Sequence, residues 1–141
     1  MQLYHRRGNV LDSDPSLPIL HCISHDARLG AGVARELNQK LNFRNQILAV
    51  QRSMPGLVVT YGQRTVLNLL TKWRYFDKPT LNNFKQALLA LRNFVLLHNV
   101  QEIATVRLGT GLDRLALDDV LEALATIFYD VNVRVYMYYL D

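Results

Sequence analysis

The sequence predicts an α/β fold, with helices on both faces of a mixed sheet. Three observations carry this expectation. Short apolar or β-branched runs at 19–24, 57–61, 64–71, 102–106 and 131–139 alternate with stretches of helical periodicity. Two of those runs are separated only by Gly62-Gln63, which reads as a hairpin inserted among the alternating units. Three loops leave strands at 24–32, 72–79 and 107–114, and two of them are glycine-rich. In such sheets ligands lie at the carboxyl ends of the strands.

Taken in order, residues 2–6 read as a short edge strand. The GNVLDSD segment after it, with Pro15 and Pro18 beyond, keeps the chain irregular. ILHCIS (19–24) reads as a buried strand. From Val33 the pattern turns helical, with Val33, Leu37 and Leu41 four apart and Arg35, Glu36, Asn38 and Lys40 assigned to the other face. A short helical piece is expected near 45–50, then a turn at Met54-Pro55-Gly56. After the hairpin comes KWRYFDKP, a polar and aromatic loop. Thr80 is a good N-cap for the clearest helix, whose Leu81, Phe84, Leu88, Leu91 and Val95 mark one face and which Asn99 ends. The run 102–106 reads as a buried strand. A helix over 118–129 follows, with Val120, Leu121, Leu124, Ile127 and Phe128 inward, and the alternating segment 131–139 closes the chain as a strand.

Composition sets the outer limits. The 141 residues suffice for one domain, 1–141, with a substantial core. Sixteen basic and twelve acidic residues give +4, which suits an anionic ligand. The basic residues are scattered, so no nucleic-acid groove is implied. One cysteine, Cys22, excludes an internal disulfide and suggests a reducing, intracellular compartment, cytoplasmic or nuclear. No apolar run approaches the ~20 residues of a membrane span, and the polar N-terminus is not a signal peptide. The four histidines are spread out, without metal-ligand spacing, so no metal is expected.

The segment RLGTGLDR (107–114) is where chemistry first shows. A strand feeding a glycine-rich turn feeding a helix is suited to holding a phosphate on backbone N–H groups. Asp113 is out of place if that loop merely binds anions.

Five ordered stretches now line up: GNVL (8–11), HCIS-x-D-x-R-x-GAG (21–32), LLTK (69–72), DKPT (77–80) and RLGTGLDRL (107–115). Together they resemble a macro domain, most closely the branch containing the terminal ADP-ribose protein glycohydrolases. The resemblance runs from about Gly8 to Tyr138. It implies a three-layer α/β/α domain with a six-stranded mixed sheet, a cleft for ADP-ribose and no cofactor. By position, Asn9 and Val10 would face the adenine. Ser24, Arg28, Leu29, Gly30 and Gly32, with Val33 behind them, would border the distal ribose and diphosphate. Arg107, Leu108, Gly109, Thr110, Gly111 and Leu112 would form the phosphate loop, with N–H groups of residues 109–112 on the phosphates. Lys72 matches the family's catalytic lysine and Asp113 its catalytic aspartate.

The chain departs from the family pattern at three places. Asn9 stands where the family usually has an acid, and its amide oxygen is expected to accept, more weakly, from the adenine amino group. Thr110 replaces the middle cysteine of a G-C-G loop, with its hydroxyl expected on a phosphate. Val106 replaces a proline, which leaves the loop less rigid.

The implied reaction removes ADP-ribose from a glutamate or aspartate ester, with O-acetyl-ADP-ribose as a further substrate. Lys72 would attack the anomeric carbon and Asp113 would act as general acid/base. Lysine forms imines with open-chain sugars but must first lose a proton. Its reference pKa is about 10.4; desolvation and Arg74 push it down, an ionised Asp113 pushes it up. A lone lysine after a strand is usually a solvated loop residue and a lone aspartate in a turn a helix-entry acid. It is their place in the ordered set that favours function. Cys22 reads as a packed thiol, the histidines as structural or surface residues, and the other basic residues as solvated. Trp73, Tyr75 and Phe76 are equally suited to covering a ligand or packing under their loop. Tyr136, Tyr138 and Tyr139 read as packing residues. The expected partners are ADP-ribose and ADP-ribosylated proteins, with the protein a monomer and no membrane involved. The alternatives are a non-catalytic ADP-ribose reader, an ADP-ribose 1''-phosphate phosphatase, and a nucleic-acid de-ADP-ribosylase. The +4 charge is compatible with the last and does not require it.

Overall fold

The computed structural model describes residues 1–110 and 113–140. Six strands, β1 (Gln2–Arg7), β2 (Ile19–Ser24), β3 (Gly56–Thr60), β4 (Val66–Lys72), β5 (Glu102–Val106) and β6 (Arg134–Tyr139), form one sheet in the order β1-β6-β5-β2-β4-β3. Every neighbouring pair is parallel except β3 with β4, the expected hairpin. Five parallel strands therefore end on the same edge. The expected mixed six-stranded α/β sheet is what the chain forms.

Burial explains the order of the strands. β2 and β4 lie inside the sheet and are buried nearly throughout, with apolar residues predominating, as in strands covered on both faces. β1 and β3 are its edges. Alternation then sends side chains into two cores. Leu20, Leu67, Leu69 and Ile103 meet α3 (Leu81–Leu97) and α4 (Leu117–Ile127), which contribute Phe84, Leu88, Leu91, Val120 and Leu124. Ile19, Ile23, Val66 and Leu70 meet Leu37 of α1 (Gly32–Leu41), Phe43, and Ile47 of α2 (Arg44–Leu48). Each fully buried Leu, Ile or Phe contributes roughly 1.5–3 kcal/mol, so these two clusters fix which face each helix takes.

The start of α3 follows its local signal: the Thr80 hydroxyl accepts from Asn83 N–H at 3.0 Å. The last strand begins at Arg134, later than its alternating pattern suggested. Val131 and Val133 are buried, but their N–H groups bond Phe128 and Val131 carbonyls in a turn.

One expectation about charge fails. Arg64 is only 8% exposed, whereas it was assigned to solvent. It donates to the Ser13 hydroxyl at 2.9 Å and to the Asp14 and Leu17 carbonyls at 3.0 and 2.8 Å. These acceptors hold one end of the buried guanidinium, while its Nε has no partner among the described residues, and they pin the irregular 13–17 segment at the start of β2.

Candidate active site

At the carboxyl ends of β2 and β4 the parallel register slips. A bulge between Ile23 and Ser24 sets Ser24 opposite Lys72, the kind of irregularity that re-aims side chains at strand ends. The pairing then continues past both strands, with His25 N–H on Lys72 O at 2.8 Å and Asp26 N–H on Trp73 O at 3.2 Å. The Lys72 backbone is therefore held on both sides of the residue.

Asp26 ties the two loops together. Its carboxylate accepts from the Ser24 hydroxyl and from Tyr75 N–H at 3.0 Å. Burial pushes the Asp26 carboxyl up, but the hydrogen bonds from Ser24, Tyr75 N–H and Arg28 N–H, with the Arg28 charge, outweigh it and hold it below its ordinary value. Ser24 is buried and its hydroxyl is given to Asp26. Its hydroxyl hydrogen thus supports the site's frame through Asp26.

The glycine-rich loop after β5 brings the second functional group. Gly109 takes φ +67°, and its carbonyl accepts from Leu115 N–H at 2.6 Å. A Cβ at Gly109 would lie 2.7 Å from Leu115 Cδ1, so both the backbone and the contact call for glycine here. Closing 109 onto 115 places Asp113, whose Oδ1 accepts from Lys72 Nζ at 2.5 Å. Both side chains are mostly buried, 13% and 16% exposed. The structure thus brings together the two residues singled out as catalytic.

Cys22 is close enough for its thiol to feel both charges. Burial first, and Asp113 second, push the thiol up, outweighing Lys72 and the Gly109 N–H. A thiol held protonated is a packing group rather than a nucleophile, as its strand position suggested.

Beside the loop lies a cavity of about 260 Å³, bordered by Asn9, Val10, Val33, Arg107 and Thr110, all expected in the site. Tyr138 and Tyr139 also border it, although the pattern of the last strand marked them as packing. Arg107 stacks on the Tyr139 ring, 4.6 Å from its centroid. Arg107 and Thr110 of the loop that leads to Asp113 supply one wall, so this loop joins the cavity to the Lys72–Asp113 pair. A larger open depression of about 580 Å³, near Asp14, Pro18, His98 and Glu102, lies at the opposite end of the strands and contains none of the expected residues.

Several expected contacts are not formed by the side chains named for them. Leu29 and Leu108 are buried in the two cores, so any ligand contact from them is through backbone. The Thr110 N–H and hydroxyl both donate to Arg107 O, at 3.2 and 2.7 Å. Neither therefore offers a hydrogen to a phosphate in this conformation, contrary to expectation. Asn9 uses its amide oxygen to accept from Leu11 N–H at 2.9 Å, capping the helical turn Val10–Asp12, so one of that oxygen's two lone pairs is already engaged. Gly30 and Gly32 lie at the entry to α1, with Gly32 at φ +60°. Gly111 and Leu112 lie outside the described residues. Trp73, Tyr75 and Phe76 are 55%, 52% and 63% exposed, which excludes packing beneath the loop. Trp73 stacks on His25, and Arg28 covers the Tyr75 ring at 4.6 Å.

Among the described residues no group of three His, Cys, Asp or Glu side chains gathers as a metal site, and no helix is long and apolar enough to cross a membrane.

No family model matches the chain. A curated bovine protein, ADP-ribose glycohydrolase OARD1, is 30% identical over 133 residues, covering 94% of this chain and 88% of that protein. Among solved structures, the macrodomain of Thermus aquaticus DarG matches with a TM-score of 0.82 at 21% identity, covering 98% of each chain. Thermosipho africanus DarTG, solved in complex with ADP-ribose, matches at 0.79 and 13% identity, over 98% of this chain and 42% of that one. At these identities the two solved structures speak to the fold.

Proposed function

This chain belongs to the macro-domain family, in the branch of the ADP-ribose glycohydrolases, and on that premise we propose that it removes mono-ADP-ribose from glutamate and aspartate esters of proteins. The observation that carries the reading is the Lys72–Asp113 contact of 2.5 Å beside the glycine turn. Binding alone requires neither a mostly buried ammonium nor a carboxylate at that place. The aromatic and apolar cavity suits the adenosine end, the 107–110 turn the diphosphate, and the Lys72–Asp113 pair the distal ribose.

The roles follow from the contact. Asp113 Oδ1 is placed to take a proton from Lys72 Nζ. The freed amine attacks the anomeric carbon, forming a C–N bond as the C–O bond to the ester breaks. The departing glutamate leaves as a carboxylate, a stable anion whose acid has a pKa of about 4.3, so little acid assistance is needed. Ring opening of the lysyl–sugar gives an imine. Asp113 gives the lysine proton to the ring oxygen as the ring opens, then takes one from water as it adds to that carbon and passes it to the amine, which leaves, regenerating lysine and free ADP-ribose.

The test uses a protein mono-ADP-ribosylated on glutamate. Release of free ADP-ribose is expected, and borohydride added during turnover should leave a reduced sugar adduct on Lys72. Binding of ADP-ribose without release would leave a reader and end the enzymatic proposal.

A further inference from the structure

The base-binding end of the cavity contains a carboxylate that no part of the proposed chemistry uses. Val33, Glu36 and Leu37 are spaced three and four apart on α1, so they share a face, and all three border the cavity. The spacing of four between Val33, Leu37 and Leu41 predicts Glu36 on the other face of α1. The cavity face of this helix is instead wide enough to include it. Among the described residues Glu36 is the only acid on the cavity wall, and its carboxylate makes no hydrogen bond or ion pair there.

Asn9 is a weaker acceptor than a carboxylate, and its oxygen is shared with the backbone. Its oxygen is committed to Leu11 N–H, a backbone donor that needs an acceptor. The amide is thereby oriented, and the half-buried Asn9 has its two Nδ2 hydrogens left over, without a protein acceptor among the described residues. The cavity thus offers one N–H donor and one carboxylate acceptor beside walls of Val10, Val33 and Tyr138. That pair is the complement of adenine's Watson–Crick edge, where ring N1 accepts and the 6-amino group donates.

We propose that Glu36 is the specificity-determining acceptor for the 6-amino group of adenine, with Asn9 donating to ring N1. This rests on the reading of the cavity as the adenosine end of an ADP-ribose site. Glu36 makes no contact with the reacting atoms, and its contribution is to affinity and base choice.

Calorimetry with two ligands tests it: ADP-ribose, and the same molecule with the 6-amino group replaced by hydrogen. Wild type should prefer ADP-ribose about tenfold, the size of one charge-assisted hydrogen bond. Glu36→Ala should bind both ligands alike, at the wild-type affinity for the hydrogen analogue. Glu36 is exposed on a helix and alanine is a good helix former, so the variant keeps the fold. A Glu36→Ala protein that retains the tenfold preference overturns the proposal, as does a wild type with no preference. If wild type binds neither ligand, the ADP-ribose reading falls as well, and that outcome is distinct from binding without selectivity.

Discussion

His21 makes acid sensitivity of this fold calculable. The imidazole is 1% exposed, between β2 and the Phe43 ring, which it meets edge-on at 5.7 Å. Its Nε2 is 2.5 Å from Asn68 Oδ1. Asn68 Nδ2 donates to the Val58 carbonyl at 3.0 Å, which fixes the amide and makes His21 Nε2 the N–H donor. The Nδ1 atom has no partner. Burial lowers the His21 pKa from its ordinary 6.5 to about 4, with the Asn68 hydrogen bond opposing only in part. A folded pKa below the unfolded one means that the unfolded chain takes up the proton first as pH falls. The neutral ring therefore supports the fold fully above pH 6.5, and that support is lost between there and about pH 4. The whole gap corresponds to roughly 3 kcal/mol, of which roughly 2 kcal/mol is lost between pH 7 and pH 5. At a typical urea slope of about 2 kcal/mol per molar, the midpoint should fall by about 1 M over that interval. His21→Gln keeps an N–H donor for Asn68 Oδ1 and does not titrate. Its urea midpoint should fall less, because it shares every other titrating group with wild type and those contributions cancel in the comparison. Parallel declines in the two proteins would refute the assignment of this acid sensitivity to His21.

Other substitutions probe the site and its frame. Lys72→Ala should lower ester turnover by more than about 10³-fold while ADP-ribose binding by calorimetry persists, since the nucleophile goes and the cradle stays. Full turnover by that variant would remove the covalent step. Asp113→Asn should cost about 10²–10⁴ in kcat, the usual worth of a general base, measured by ADP-ribose release. Gly109→Ala must hold alanine at φ +67° and displace Leu115; a strain of roughly 1–2 kcal/mol should weaken ADP-ribose binding about tenfold, and unchanged affinity would show that the turn does not hold the ligand. Arg64→Ala strips donors from Ser13, Asp14 and Leu17 and should destabilise by roughly 2–4 kcal/mol in urea unfolding, with Arg64→Lys recovering less than half because one ammonium cannot reproduce the guanidinium fork.

Periodicity and turn chemistry alone determined the elements of this protein. The runs 19–24 and 102–106 become β2 and β5 with those bounds, because short, mostly apolar runs suit strands covered on both faces. Thr80 caps α3 as its side-chain chemistry dictates. The glycine pair and the out-of-place Asp113 marked the loop where chemistry gathers, and the family pattern pointed to Lys72. What sequence could not decide was where each polar atom is directed, because hydrogen bonds are settled by partners that arrive from distant segments. Lys72 and Asp113 are 41 residues apart, and a strand bulge, a positive-φ glycine and a 109–115 closure are all needed to bring them to 2.5 Å. Ser24 gives its hydroxyl to Asp26, Thr110 turns its donors onto Arg107, and Asn9 gives its oxygen to Leu11. Arg64 is buried because three carbonyl or hydroxyl acceptors converge on it. Glu36 borders the cavity because Val33 and Leu37, on the same face of α1, line it too. A residue's type and spacing fix what it is able to do, and the packing of the finished fold fixes which of those things it does.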